Sequence, residues 1–82
     1  MAKILVVDSD ASARDLLNNL IQTRLENLVF FASNGSEALT VVRAQLPDLI
    51  ITDIKMTDMD GYEFVRQLRA DPLLKKTEVI FL

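Results

Sequence analysis

Three aspartates follow directly after short apolar runs, and their positions predict an acidic site. The run 4–7 leads into Asp8 and Asp10, and the run 49–52 leads into Asp53. If both runs are parallel strands, their carboxyl ends meet at one edge of a sheet, where open α/β sheets bind ligands. Crowded carboxylates repel one another, and a bound cation relieves that repulsion. The pattern therefore predicts a divalent-cation site in which Asp53 can accept a phosphoryl group as a carboxylate nucleophile.

The chain contains no histidine and no cysteine, which restricts its chemistry. Disulfides, thiol catalysis and imidazole bases are excluded. Any metal must be held by oxygen atoms, so Mg²⁺, Mn²⁺ and Ca²⁺ are the candidates. The bland alternative is that each acid only caps a helix or starts a turn, as Asp10 could do for a helix beginning near Ser12.

Composition indicates one small globular domain spanning residues 1–82. Half of the residues are hydrophobic, 26% are charged, and the formal net charge is −3. These values are typical of a folded protein rather than a disordered one. The basic residues are scattered, so nothing resembles a nucleic-acid-binding surface. No apolar run has the length of a signal-peptide core or a membrane span, so we expect a soluble, cytoplasmic protein without membrane contact.

The hydrophobic pattern alternates between strand-like and helix-like segments. Strands are predicted at 3–7, 28–32, 48–53 and 78–82. Helices are predicted at 12–25, from the Asn34 cap to Pro47, and from the Asp60 cap to Pro72. Such alternation predicts a parallel sheet with right-handed crossovers.

Two helix faces are predicted in more detail. Asn34 and Asp60 are each followed three residues later by glutamate, which is the spacing of a helix N-cap. Leu46 belongs to the predicted apolar side of the helix that starts at Asn34. Tyr62, Phe64 and Val65 are predicted core residues of the next helix. A solvated face is predicted for the charged residues Glu63, Arg66, Arg69, Lys75 and Lys76.

Four segments resemble the receiver domain of two-component response regulators. They are ILVVDSD at 4–10, NGSEAL at 34–39, LIITDIKM at 49–56 and MDGYE at 59–63, in which Gly61 matches the glycine that opens the family's third helix. The resemblance implies an α/β fold: a flavodoxin-like, doubly wound parallel sheet with strand order 2-1-3-4. It also implies that the family's fifth strand and last two helices are absent from this chain, so the domain is expected to be incomplete at its C-terminus.

The same resemblance implies the roles of the acidic residues. Asp53 matches the phosphoacceptor, which receives its phosphoryl group from the phosphohistidine of a partner histidine kinase or phosphotransfer protein. The implied cofactor is Mg²⁺, held by Asp8, Asp53 and the backbone carbonyl of Lys55, with Asp10 and Ser9 as further candidates. Ser9 stands where the family usually has an acid, so weaker metal binding is expected. The domain would be a signalling phosphoprotein rather than an enzyme.

Two other functions stay open at this point. A receiver-like interaction module that never turns over phosphate is favoured by Ser9 and by the early end of the chain. A phosphatase of the haloacid dehalogenase type is suggested by Asp8-Ser9-Asp10, with Asp8 as nucleophile and Asp10 as general acid and base. That second alternative leaves Asp53 unexplained. The aspartate that becomes phosphorylated, Asp8 or Asp53, discriminates the phosphatase from the receiver, and weak Mg²⁺ binding with an unchanged oligomeric state would indicate the interaction module.

The last apolar segment predicts an assembly. The sequence ends at Phe81-Leu82, within a predicted strand. An open strand edge invites pairing with another chain. We therefore expect a homodimer or a domain-swapped assembly through this fourth strand, unless the chain is one piece of a longer protein.

Overall fold

The computed structural model describes residues 2–10, 15–16, 19, 28–56 and 58–82. Within these ranges lie the strands β1 (Lys3–Val7), β2 (Leu28–Ala32), β3 (Leu49–Thr52) and β4 (Glu78–Phe81). Helix α1 (Gly35–Gln45) connects β2 to β3, and helix α2 (Gly61–Ala70) lies between β3 and β4. The four strands form one parallel sheet in the order β2-β1-β3-β4. The predicted fold class and strand order are confirmed.

The helix predicted at 12–25 lies mostly outside the described residues. Asp15, Leu16 and Asn19 are the described positions of that range, and each is helical. Within the part of the chain that the structure describes, no helix is long and apolar enough to cross a membrane.

β1 is the central strand, paired with β2 on one side and β3 on the other, and its residues 4–7 are buried. Leu5 and Val7 pack in one core with Ile50 of β3 and with Phe64 and Leu68 of α2, and all five are at most 1% exposed. Burying large apolar side chains of this kind stabilises the fold by about 1.5–3 kcal/mol each. The core therefore lies directly beneath the carboxyl ends of β1 and β3.

Helix α1 starts as predicted but ends earlier. Asn34 is extended, and its side chain accepts a hydrogen bond from the Glu37 amide at 2.8 Å. At the other end, Leu46 adopts the left-handed conformation with φ 49° and donates its amide to Val42. The helix is therefore closed by this backbone cap before it reaches Pro47. Leu46 is 50% exposed, so its predicted place on the apolar side is wrong.

Helix α2 is positioned by a capping aspartate at its start. Asp60 Oδ1 accepts a hydrogen bond from the Glu63 amide at 2.8 Å, as its spacing predicted. Phe64 and Leu68 point into the core, while Glu63 and Arg66 form an exposed ion pair. The acidic cap suits the positive end of the helix dipole. The cap thereby fixes the position where the loop after β3 ends and α2 begins.

Two side chains of α2 differ from the sequence prediction. Tyr62 is 63% exposed rather than buried, and its ring lies against the Phe81 ring with a centroid distance of 5.3 Å. Arg69 is not simply solvated, because its Nη1 donates to three backbone carbonyls. These belong to Leu74 (3.3 Å), Lys75 (2.8 Å) and Thr77 (2.7 Å). Arg69 thus fixes the turn that leads into β4.

Candidate functional site

The strand register brings Asp8 and Asp53 to the same edge of the sheet. The last paired residues of β1 and β3 are Val7 and Thr52. One step further, the Asp53 amide donates to the Val7 carbonyl at 3.0 Å, and the Asp8 amide donates to the Ala32 carbonyl at 3.0 Å. Both aspartates are therefore held by backbone hydrogen bonds that extend the parallel ladder. Each lies just beyond its strand. For Asp53 this differs from the prediction, because β3 ends at Thr52 rather than at residue 53.

The Asp8 carboxyl group lies within hydrogen-bonding distance of Asp53 and opposes the ionisation of Asp53. Asp8 is 8% exposed, and Asp53 is half-buried. Burial raises the pKa of Asp53, and the charge of Asp8, a hydrogen bond with Asp8 and the charge of Asp10 raise it further. In the metal-free site Asp53 therefore keeps its proton to a higher pH than an isolated aspartate does. A cation that bound both carboxylates would offset the part of that shift that comes from the neighbouring negative charges.

Asp10 and Ser9 are exposed beside this pair. The Asp10 amide donates to Asp8 Oδ1 at 2.8 Å, which fixes the orientation of the Asp8 carboxylate. The charge of Asp10 also reaches Asp53, as its contribution to the pKa of Asp53 indicates. The predicted capping of a helix near Ser12 by Asp10 lies outside the described residues. Asp10 thus acts on the site through Asp8 and through its charge.

The loop from Asp53 to Asp60 is anchored at both ends, and Lys55 lies within it with an exposed side chain. At its start, the buried Thr52 hydroxyl donates to the Asp53 carbonyl at 3.0 Å. At its end, the Gly61 amide donates to the Ile54 carbonyl at 2.5 Å. These bonds fix the backbone on either side of Lys55, whose carbonyl is a predicted metal ligand.

Gly61 is the point of closest approach between α2 and the loop. A Cβ atom at this position would lie 2.8 Å from the Asp53 carbonyl oxygen and 3.0 Å from Ile54 Cα. The same Cβ atom would lie 2.8 Å from Cε1 of the Phe81 ring. Such distances leave no room for a side chain, so glycine lets the helix start directly against the backbone of Asp53.

Asp58 is a functional candidate that the sequence did not reveal. Its Oδ1 accepts from the Gly35 amide at 2.8 Å, and its Oδ2 accepts from the Ser36 amide at 2.7 Å. Hydrogen bonds from the side chain and backbone of Ser36 and the backbone of Gly35 lower the pKa of Asp58 to about 2. The contact joins residues 22 and 23 positions apart, so no local pattern could have predicted it.

The donor set at this edge fits Mg²⁺. No group of three or more acidic side chains arranged to hold a metal occurs among residues 2–10, 15–16, 19, 28–56 and 58–82. Mg²⁺ needs fewer protein ligands than that, because it typically uses one or two carboxylates, keeps several waters and shares the oxygens of a phosphate. Asp8 and Asp53 would supply the two carboxylates, and the chain has no histidine or cysteine to offer as a competing ligand.

Comparison with known proteins gives one family. A model of the response regulator receiver domain matches residues 4–82. The response regulator Rre1 of Synechocystis is 33% identical over 79 residues, which are 96% of this chain and 34% of the relative. Sporulation initiation phosphotransferase F of Bacillus subtilis is 37% identical over 68 residues, which are 83% of this chain and 54% of that protein. The chain thus spans about a third to a half of these two relatives.

A solved structure has the same fold and is also longer than this chain. The chemotaxis response regulator CheY4 of Vibrio cholerae superimposes with a TM-score of 0.93 at 34% identity. The match covers 99% of this chain and 67% of that one.

Proposed function

This chain belongs to the response regulator receiver domain family, and we propose that it accepts a phosphoryl group on Asp53 with Mg²⁺ as cofactor. The observation that carries the proposal is the pair of strand-end carboxylates, Asp8 and Asp53; burial and the neighbouring charge of Asp8 raise the pKa of Asp53. A carboxylate with a raised pKa is more basic and therefore a better nucleophile once it is ionised. Receiver domains are signalling domains and are generally not classed as enzymes.

Asp8, Asp53 and the backbone carbonyl of Lys55 would hold the cation, and Asp10 would support it by fixing Asp8. When bound, Mg²⁺ supplies positive charge that offsets the carboxylates and the phosphoryl oxygens. An Asp53 oxygen attacks the phosphorus and forms a new P–O bond while the donor's P–N bond breaks. The electron pair of that bond stays with the departing imidazole nitrogen, which then takes a proton from solvent.

The partner of this reaction is a phosphohistidine on another protein. Receiver domains interact with histidine kinases or phosphotransfer proteins, and this chain has no histidine of its own. Asp53 is half-buried at the carboxyl end of β3 and is therefore partly accessible to a protein donor. We place this exchange in the cytoplasm, where the kinase domains that serve this family act.

Incubating the chain with acetyl phosphate and Mg²⁺ tests the proposal. We expect intact-mass spectrometry to detect one added phosphoryl group that is lost on treatment with hydroxylamine, as acyl phosphates are. Asp53→Asn removes the nucleophile and is expected to abolish the adduct, and so is chelation of the metal. The folded state of each sample is checked by circular dichroism. A folded wild-type chain without an adduct would contradict the proposal and favour the non-signalling interaction module.

We also propose that the chain assembles through β4, as a homodimer or by strand exchange. In the sheet that the structure describes, β4 pairs with β3 and forms one edge. Ile80 and Leu82 are 48% and 62% exposed there. Light scattering is expected to give the mass of two chains, and Ile80→Lys is expected to reduce it to one, because charge on an edge strand opposes pairing. A wild-type monomer with a cooperative melt would contradict this assembly.

A further inference from the structure

Asp58 joins two parts of the site region that are far apart in sequence. Its carboxylate lies three residues after Lys55 and accepts hydrogen bonds from the first two amides of α1, Gly35 (2.8 Å) and Ser36 (2.7 Å). Each of these amides lacks a partner within its own helix. The carboxylate also lies at the positive end of the helix dipole, which favours its ionised form. Its lowered pKa, about 2, agrees with this arrangement and keeps it charged at neutral pH.

The neighbouring residue Met59 adds an apolar contact to the same helix start. A Cβ atom at Gly35 would lie 2.3 Å from Met59 Cγ and 2.7 Å from Met59 Sδ, so Met59 occupies the space that glycine leaves open. Met59 also packs against the buried core of the domain. Two consecutive loop residues therefore hold on to α1, one by charge and hydrogen bonds and one by packing.

We propose that Asp58 is a positioning residue. Asp58 and Met59 contact Gly35 and Ser36 at the start of α1, and these contacts are called the clasp. The clasp holds the segment 53–55 in the geometry needed to bind Mg²⁺. This inference rests on the proposed function. The segment is fixed on the strand side by the bond from the Asp53 amide to Val7 and on the α2 side by the bond from Gly61 to Ile54. The clasp adds an attachment on a third side, that of α1.

The clasp is expected to act on metal affinity rather than on the chemical step. Without it, part of the binding free energy of Mg²⁺ must be spent on ordering the loop, so the apparent affinity falls. Once the cation is bound, the loop is ordered and the maximal rate returns to the wild-type value. An outer-shell partner of a metal site typically contributes about 10–100-fold to affinity.

Asp58→Ala tests this, with Asn34→Ala as the matched control. Asn34 caps the same helix by accepting from the Glu37 amide, whereas Asp58 accepts from the Gly35 and Ser36 amides, so loss of the Asn34 side chain weakens α1 and leaves both Asp58 bonds in place. The phosphorylation rate with acetyl phosphate is measured against Mg²⁺ concentration. For Asp58→Ala we expect the half-saturating Mg²⁺ concentration to rise about ten-fold with an unchanged maximal rate. For Asn34→Ala we expect wild-type values. Equal Mg²⁺ dependence in the two variants would overturn the proposal and leave Asp58 as a helix cap.

Gly35→Ala tests the contact between Met59 and the start of α1. Alanine favours helix formation over glycine, so α1 itself is not weakened, while the new Cβ displaces Met59. We expect a raised half-saturating Mg²⁺ concentration in spite of an intact helix. An unchanged value would count against the packing half of the clasp.

Amide hydrogen exchange separates this inference from the proposed function. Without Mg²⁺ or phosphoryl donor, exchange at residues 54–56 is expected to accelerate in Asp58→Ala and not in Asn34→Ala. If wild type neither binds Mg²⁺ nor accepts phosphate but this difference appears, the clasp stands and the proposed function fails. If exchange in the loop is the same in both variants, the clasp fails whatever the outcome for phosphorylation.

Discussion

Replacing Gly61 with alanine is expected to destabilise the domain by about 2 kcal/mol and to impair phosphorylation at the same time. The added Cβ would lie 2.8 Å from the Asp53 carbonyl oxygen and 3.0 Å from Ile54 Cα. These are backbone atoms that hydrogen bonds to Val7 and Gly61 hold in place, so they cannot rotate away as a flexible side chain can. Either α2 shifts outward or the segment carrying Asp53 moves. Both displacements damage the site, because positioning errors of about 1 Å are costly to catalysis.

Gly35→Ala is the matched control for this prediction. Both glycines are buried at the first position of a helix, but the Cβ at Gly35 meets the side chain of Met59 rather than backbone. Urea unfolding is expected to show a clearly larger loss of stability for Gly61→Ala than for Gly35→Ala. The initial rate of acetyl phosphate labelling is expected to fall with it at saturating Mg²⁺. A Gly61→Ala variant with wild-type stability and rate would show that this close approach does not constrain the site.

The second large effect is expected from Asp8→Asn, which changes stability and function in opposite directions. Asparagine keeps an oxygen that can accept the hydrogen bond from the Asp10 amide, so the local geometry has little reason to change. It removes the charge that opposes ionisation of Asp53. The metal-free variant is therefore expected to have a higher urea midpoint than wild type at neutral pH. Its apparent Mg²⁺ affinity is expected to fall by more than about ten-fold, the smallest loss typical of an outer-shell partner.

The pH dependence of stability gives the sign of this effect. Because the folded-state pKa of Asp53 is raised, its contribution to stability is fully present below the unfolded pKa. It is lost as the pH rises through the folded pKa. As the pH rises from below the unfolded pKa of Asp53, metal-free wild type is thus expected to lose this contribution, and Asp8→Asn is expected to lose less of it, so the stability of the variant relative to wild type rises with pH. Glu78→Gln, which changes net charge equally at an exposed position of β4, is the control and is expected to follow wild type. A steeper profile for Asp8→Asn would contradict the assigned cause of the shift.

Most of the fold could be predicted from local patterns in the sequence. The apolar runs of β1 and β3 are uninterrupted because both strands lie inside a parallel sheet, and such strands are buried on both faces. Asn34 and Asp60 cap their helices as the spacing to Glu37 and Glu63 predicted. The placement of Asp8 beside Asp53 followed from the strand order that the resemblance to receiver domains implied, since the carboxyl ends of neighbouring parallel strands meet.

The sequence failed where a contact depends on distant parts of the chain. Tyr62 follows the apolar spacing of α2, yet its ring lies on the exposed edge near Phe81, because Phe64 and Leu68 already fill the core side. Arg69 is charged and was therefore expected to face solvent, but the turn that precedes β4 brings three backbone carbonyls to its guanidinium group. Asp58 pairs with amides more than twenty residues away. When the partner of a charged side chain is a backbone group, no residue type in the sequence identifies that partner, so the contact cannot be predicted.

The central claim is that Asp53 is the phosphoacceptor, and chemical mapping of the adduct tests it most directly. After labelling with acetyl phosphate and Mg²⁺, borohydride reduces an aspartyl phosphate to homoserine, which peptide mass spectrometry can locate. We predict homoserine at position 53, none at position 8, and none at either position when Mg²⁺ is removed. Homoserine at position 8 would contradict the account and support the phosphatase-like use of Asp8. A folded, labelled chain with no homoserine at position 53 would contradict it as well.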